Sequence, residues 1–176
     1  MLIEERIKEL GLTLPAAPTP MANYVTVRRS GNLLFFSGAG AFQDGKPVVF
    51  GKLGAELTLD EGYQAARLAG LNLIAQLKKE LGDLDKVRQF VKVQAFVSSA
   101  PDFVQQPAVM NGASDLFVEV FGDKGRHART AVAAPVLPFN IPIEIEMIVE
   151  VDEQALPERQ VDFSLEISLN GLSKLG

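Results

Sequence analysis

The chain has 176 residues, 47% hydrophobic and 22% charged, with a net charge of −5 and no cysteine. That length suits one domain with a substantial core. The missing cysteines remove disulfides, thiolate nucleophiles and Cys-based zinc or iron–sulfur centres, and an acidic chain without a Lys/Arg run lacks the surface that phosphates require.

The first residues, MLIEERIKELG, place Leu2, Ile3, Ile7 and Leu10 on one face of a short helix, with Gly11 as its stop. Charges within this pattern make it unlike a signal peptide. No apolar run approaches the roughly 20 residues that span a bilayer, so the chain reads as cytoplasmic, with no membrane partner. Leu12–Met21 contains Pro15, Pro18 and Pro20 and reads as an extended arm. Tyr24–Arg28 and Asn32–Gly38 read as a hairpin turning at Arg29-Ser30-Gly31. Leu33, Leu34, Phe35 and Phe36 are apolar on both faces of their strand, which calls for cover on both sides. Ser37-Gly38-Ala39-Gly40 then breaks the pattern. Its glycines permit close backbone approach to a ligand, although the spacing is not that of a phosphate loop. Asp44-Gly45 marks a further hairpin turn.

Thr58 and Glu61 form a capping-box pattern that opens a helix running to Leu81 and stopping at Gly82. Its buried stripe is Ala66, Gly70, Leu73, Leu77 and Leu81, with Gly70 expected to allow close packing on a sheet. Val91, Val93, Ala95 and Val97 alternate as a strand. Pro107 to Phe121 reads as a second helix, with Met110, Ala113, Phe117 and Val120 facing inward. Gly125–Val151 reads as two strands joined by a proline-marked corner. In the second, Ile143, Ile145, Met147 and Val149 alternate with Glu144, Glu146, Ile148 and Glu150. The order of elements gives an α+β layer: one mixed sheet with two long helices on one face. The other face, carrying Phe36, Phe96, Glu144 or their neighbours, lacks a cover, which predicts an oligomer. Val161–Leu169 alternates once more as an extra strand, which must pair with a sheet edge or a neighbouring subunit.

Arg129 and Glu144 are the two residues that stand out. A guanidinium grips a carboxylate with two parallel bonds, and carboxylates on a sheet face divide acid and base work when their environments differ. Two readings stand on the residues alone: a structural ion pair of Arg129 or Arg126 with Glu144 or Glu146, or a site for a small acid. His127 is the only histidine, so a His-based triad or multi-histidine metal centre is excluded, and a loop-fixing or exposed role is expected of it.

From Tyr24 to Val151 the chain resembles the RidA (YjgF-like) reactive-intermediate deaminases, once labelled L-PSP endoribonucleases. The matching residues are Ala128-Arg129-Thr130, then Leu137-Pro138 and Ile143-Glu144-Ile145-Glu146, with the first Glu fifteen residues after the Arg. Tyr24-Val25, with Ser37-Gly38 beginning thirteen residues after the Tyr, and Asn111 in the second helix complete the pattern. The resemblance implies a chorismate-mutase-like fold over residues 1–151, with a longer N-terminal helix and arm over 1–23 and an extension over 152–176. It implies a homotrimer with clefts between subunits. The implied activity is hydrolysis of short 2-enamino or 2-imino acids, such as 2-aminoacrylate, to 2-oxo acids and ammonia, without cofactor or metal. Arg129 would clamp the substrate carboxylate and Glu144 would handle the water. Tyr24, Ser37, Gly38 and Asn111 would bind or support the substrate. The alternative is a non-catalytic trimeric module that binds small carboxylates or a partner protein. Ala39 stands where the family often has Gln, and Ala131 where the deaminases often have Cys. An endoribonuclease is disfavoured by the acidic charge.

Overall fold

The computed structural model describes residues 2–17, 20 and 22–153. The expected strand over 161–169 lies outside them. The elements in order are α1 (Leu2–Glu9), β1 (Val27–Ser30), β2 (Leu33–Ala39), β3 (Phe42–Gln43), β4 (Lys46–Pro47), α2 (Leu59–Leu81), β5 (Val87–Ser98), α3 (Gln106–Phe121), β6 (Ala128–Ala134) and β7 (Ile143–Val151).

Local chemistry sets most of these boundaries. Thr58 accepts from the Glu61 N–H while the Glu61 carboxylate accepts from the Thr58 N–H, closing the capping box that starts α2. Gly82 ends that helix at φ 71°, a conformation that favours glycine. Asp44 and Gly45, both at positive φ, make the tight turn between β3 and β4. Helix α1 has a more distant anchor: the Asp85 carboxylate accepts the Leu2 and Ile3 N–H groups at 2.8 and 2.9 Å. The first hairpin turns two residues later than the sequence suggests, at Gly31-Asn32. Tyr24 therefore lies ahead of β1 rather than in it. Gly31 takes the positive φ of that turn, and Val27 opposite Phe36 begins the pairing.

One five-stranded sheet runs β1-β2-β7-β5-β6, antiparallel throughout except for β5 beside β6. Strands β6 and β7, consecutive in sequence, are thus separated by β5, where the sequence suggested a simple corner. Helices α2 and α3 cover one face. Leu34, Phe36, Val93, Ala95, Ile143, Ile145 and Met147 are buried there against Ala66, Leu73 and Leu77 of α2 and Met110 and Phe117 of α3. This is the α+β architecture anticipated.

Two expectations are corrected. Phe36 pairs with Met147 on the helix side, so Phe35, 40% exposed, is the aromatic on the open face. The nearest neighbours of Gly70 belong to α3 and not to the sheet. A Cβ there would lie 3.0 Å from Leu116 and 3.3 Å from Ala113, so the glycine admits α3. The open face carries Phe35, Phe96 and Val132 beside Lys92, Gln94, Glu144 and Glu146, with no described helix over it.

Candidate active site

Strand pairing decides where Arg129 and Glu144 point. Arg129 stands opposite Val93 in the parallel β5–β6 pair, and paired residues share a face. Val93 is fully buried under the helices, so Arg129 projects on the helix side, at the sheet edge. Glu144 stands opposite Phe96, one step out of phase, on the open side. Within one chain the two residues lie on opposite faces, and the Arg129–Glu144 ion pair considered above does not form.

Each is prepared by its surroundings. One guanidinium nitrogen of Arg129, Nη1, donates to Asn111 Oδ1 at 2.8 Å and to Ser114 Oγ at 3.2 Å. Ser114 in turn meets His127 Nε2 at 3.1 Å, and His127 Nδ1 lies 2.7 Å from the Gly125 carbonyl. A consistent assignment has Nδ1–H donating to Gly125 and the Ser114 hydroxyl donating to a neutral Nε2. Burial lowers the His127 pKa. The Gly125 bond works against that shift, and the nearby Arg129 charge reinforces it. The ring packs edge-on to Phe117, 5.8 Å between centroids. His127 therefore fixes the loop before β6 and helps hold Arg129, as its loop-fixing reading required. The Nε–Nη2 edge of the guanidinium has no partner among the described residues.

The Glu144 carboxyl is half-buried and makes no hydrogen bond or ion pair with the described residues. Burial raises its pKa, and the neighbouring Glu146 charge adds to the rise. Arg126, the other cation considered, bonds Asp123 instead. The Glu144 side chain lies against Gly38, where a Cβ would fall 2.0 Å from Oε1. A Cβ at this position would force the Glu144 side chain to swing away. Gly38 sits in the bulge that interrupts β2–β7 pairing between Phe36 and Ala39. Ser37 Oγ donates to the Val25 carbonyl at 2.8 Å, tying β2 to the segment that carries Tyr24. Tyr24, Ser37 and Gly38 then line one cavity of about 290 Å³ with Thr26, Ala39 and Phe42. The sequence-derived residues thus fall into two groups in one copy: Arg129 with Asn111 on one side, and Tyr24, Ser37, Gly38 and Glu144 around β2 on the other.

Ser114 and His127 escaped assignment to the site. Ser114 lies three residues after Asn111 on a helix and so shares its face, a spacing the sequence displays. Glu4, Asp83 and Asp85 bring carboxylate oxygens within 4.8 Å of one another. Their bonds include chain N–H groups at Leu84, Asp85, Leu2 and Ile3, and Lys78, which is a capping arrangement. No helix among the described residues is long and apolar enough to cross a membrane.

Residues 4–151 match the family model described as "YjgF/chorismate_mutase-like, putative endoribonuclease". The chain belongs to the YjgF/chorismate mutase-like family. Protein TCP17 of Trypanosoma cruzi is 44% identical over 151 residues, covering 85% of this chain and 94% of the relative. The crystal structure of Atu1372 from Agrobacterium tumefaciens, a protein described as of unknown function, is 48% identical with a TM-score of 0.80, covering 86% of this chain and 93% of that one. A protein from Shewanella oneidensis described as an endoribonuclease is 36% identical with a TM-score of 0.82, covering 85% and 99%. Escherichia coli TdcF, solved with bound serine, shares the YjgF-like fold at 20% identity and a TM-score of 0.58, covering 77% and 94%.

Proposed function

We propose that this YjgF-family chain hydrolyses short 2-enamino or 2-imino acids to 2-oxo acids and ammonia, in clefts between the subunits of a homotrimer. The observation that carries the reading is Arg129: a guanidinium anchored through Nη1, with its other edge open to a two-bonded grip on a carboxylate. Its counterpart, Glu144, lies on the other face of its own sheet, so the pair is completed by a second copy. The uncovered apolar residues Phe35 and Val132 support such an assembly. Serine bound to TdcF, a fold relative, is in keeping with a small amino-acid-like ligand.

In the cleft, Arg129 of one subunit holds the substrate carboxylate and fixes the plane of the C=N group. Tyr24 flanks that plane. Asn111 does not react; it positions the guanidinium. Ser37, whose hydroxyl proton is directed to Val25, offers lone pairs to the substrate N–H. Glu144 accepts a proton from water as the oxygen bonds to the imine carbon. It returns that proton to the nitrogen of the resulting carbinolamine, and as the C–N bond breaks the carbinolamine hydroxyl gives its own proton to the Glu144 carboxylate, which passes it to water, leaving a carbonyl and ammonia. Partial burial raises its pKa, which makes it a stronger base once ionised.

The test is release of ammonia and 2-oxo acid from 2-aminoacrylate generated in situ. Wild type accelerates release over buffer, and Arg129→Ala loses about a hundredfold or more. No acceleration by wild type would remove the activity for that substrate. The second reading, a non-catalytic binding trimer, is favoured by Ala39 and Ala131. It predicts carboxylate-dependent melting with no turnover. Ribonuclease chemistry finds little support in a net charge of −5 and a single histidine already committed to a loop.

A further inference from the structure

Asn111, Ser114, His127 and Arg129 form one cluster where α3 runs beside the start of β6. Part of the cluster holds Arg129, but two of its groups stand in a relation that holding does not require. Ser114 Oγ lies 3.1 Å from His127 Nε2, within reach of proton transfer. His127 Nδ1 lies 2.7 Å from the Gly125 carbonyl, which fixes the tautomer and leaves Nε2 as the acceptor. Burial, with the Arg129 charge, favours the neutral ring. The carbonyl occupies the position that a carboxylate holds in a full triad. A single histidine is enough for a pair of this kind, which the sequence alone did not reveal. Donors stand around the serine. Arg129 Nη1 donates to Ser114 Oγ at 3.2 Å and to Asn111 Oδ1 at 2.8 Å. Asn111 Nδ2 and the Nε–Nη2 edge of the guanidinium have no partners among the described residues. Asn111 and Ser114, three residues apart on α3, share a face. Ser114 and His127 are partly exposed, and Asn111 and Arg129 are exposed, so a small molecule can reach the cluster.

We propose that Ser114 and His127 are a nucleophile–base pair, and that the chain hydrolyses small carboxylic esters there as an activity separate from deamination. All four residues come from one subunit, and neither Glu144 nor the segment carrying Tyr24 takes part. Ser114 Oγ bonds to the ester carbonyl carbon while its proton moves to His127 Nε2. The carbonyl oxygen becomes an oxyanion, met by Asn111 Nδ2 and the free edge of Arg129. As the oxyanion collapses, the C–O bond breaks and the alcohol leaves with the proton from His127. Water then attacks the acyl group on Ser114, giving a proton to Nε2. Ser114 leaves the carbon, recovers that proton from His127, and the carboxylic acid is released.

Labelling with a fluorophosphonate, read by mass spectrometry, locates the nucleophile. Release of p-nitrophenol from p-nitrophenyl acetate measures turnover. Wild type is labelled at Ser114 and accelerates release over buffer. His127→Gln lowers both rates about a hundredfold. Ser114→Ala loses the label and falls to the buffer rate, with melting curves showing that each variant is folded. Because Ser114→Ala also removes an anchor of Arg129, Ser114→Cys supplies a second arm. The chain has no cysteine, so iodoacetamide reports on one thiol only. Beside His127 that thiol alkylates about tenfold faster than free cysteine at neutral pH, and adding His127→Gln removes the advantage. Label on another residue, hydrolysis unchanged in Ser114→Ala, or a thiol no faster than free cysteine overturns the pair. Deamination of 2-aminoacrylate is assayed separately on wild type, so the failure of either activity is read without the other.

Discussion

Arg129→Ala protein and Glu144→Gln protein, each nearly inactive alone, recover about one quarter of wild-type turnover when unfolded together in equal amounts and reassembled, as a random cyclic trimer requires. The argument is geometric. Arg129 shares a face with Val93, and Glu144 shares the other with Phe96. A cleft that takes Arg129 from one subunit and Glu144 from the next is intact only when the first carries the Glu144 change and the second the Arg129 change. Random assembly gives that arrangement at one interface in four. Turnover of the reassembled mixture, compared with each variant refolded alone, measures it. No recovery, with trimers verified by light scattering, would mean that the two side chains do not serve a shared site.

Gly112→Ala lowers stability by about 3 kcal/mol. Helices α2 and α3 touch where Gly112 faces the backbone of Tyr63, and an added Cβ would lie 2.0 Å from the Tyr63 carbonyl oxygen and 2.9 Å from its carbon. Neither atom belongs to a flexible side chain, so the helices must separate. Gly70, one step along the same seam, already admits Leu116 and Ala113 at close range. The shift also moves the flanking anchors, Asn111 and Ser114, away from Arg129. Urea unfolding is expected to show a lower midpoint with an unchanged slope, accompanied by lost carboxylate affinity. An unchanged midpoint would mean that the seam is looser than these distances describe.

Much of the frame was readable in the residues. The Thr58–Glu61 box and Gly82 delimit α2 because capping is a local hydrogen-bond problem with a local solution. The alternation in β7 announces which of its side chains are buried. Other features were hidden for physical reasons. Leu33-Leu34-Phe35-Phe36 is apolar at every position and so does not reveal its phase; only pairing with Met147 shows that Phe36 is the inner aromatic. Strand β6 reads Ala-Arg-Thr-Ala-Val-Ala-Ala, with side chains too small and uniform to mark a buried face, so the side to which Arg129 points could not be read. Strand order is a long-range property, and the insertion of β5 between β6 and β7 leaves no mark in either sequence.

The remote anchoring of α1 has a consequence for how the fold opens. Eight residues are too few to hold a helix in water, so α1 persists through its docking. Its first N–H groups rest on Asp85, and Glu4 takes the Leu84 N–H and the Lys78 ammonium. No helix or strand intervenes between Glu9 and Val27 among the described residues, so α1 can leave its seat without dragging the sheet. Burial alone would raise the Glu4 pKa, but the bonds from Lys78 and Leu84 outweigh it and hold the carboxyl below its ordinary value of 4.5. The stabilisation it contributes is therefore complete above that value and is lost as pH falls through the lowered one. Acid thus releases the N-terminal helix as a small unit of its own. Its amides exchange hydrogen with solvent while those of β5 and β7 remain protected.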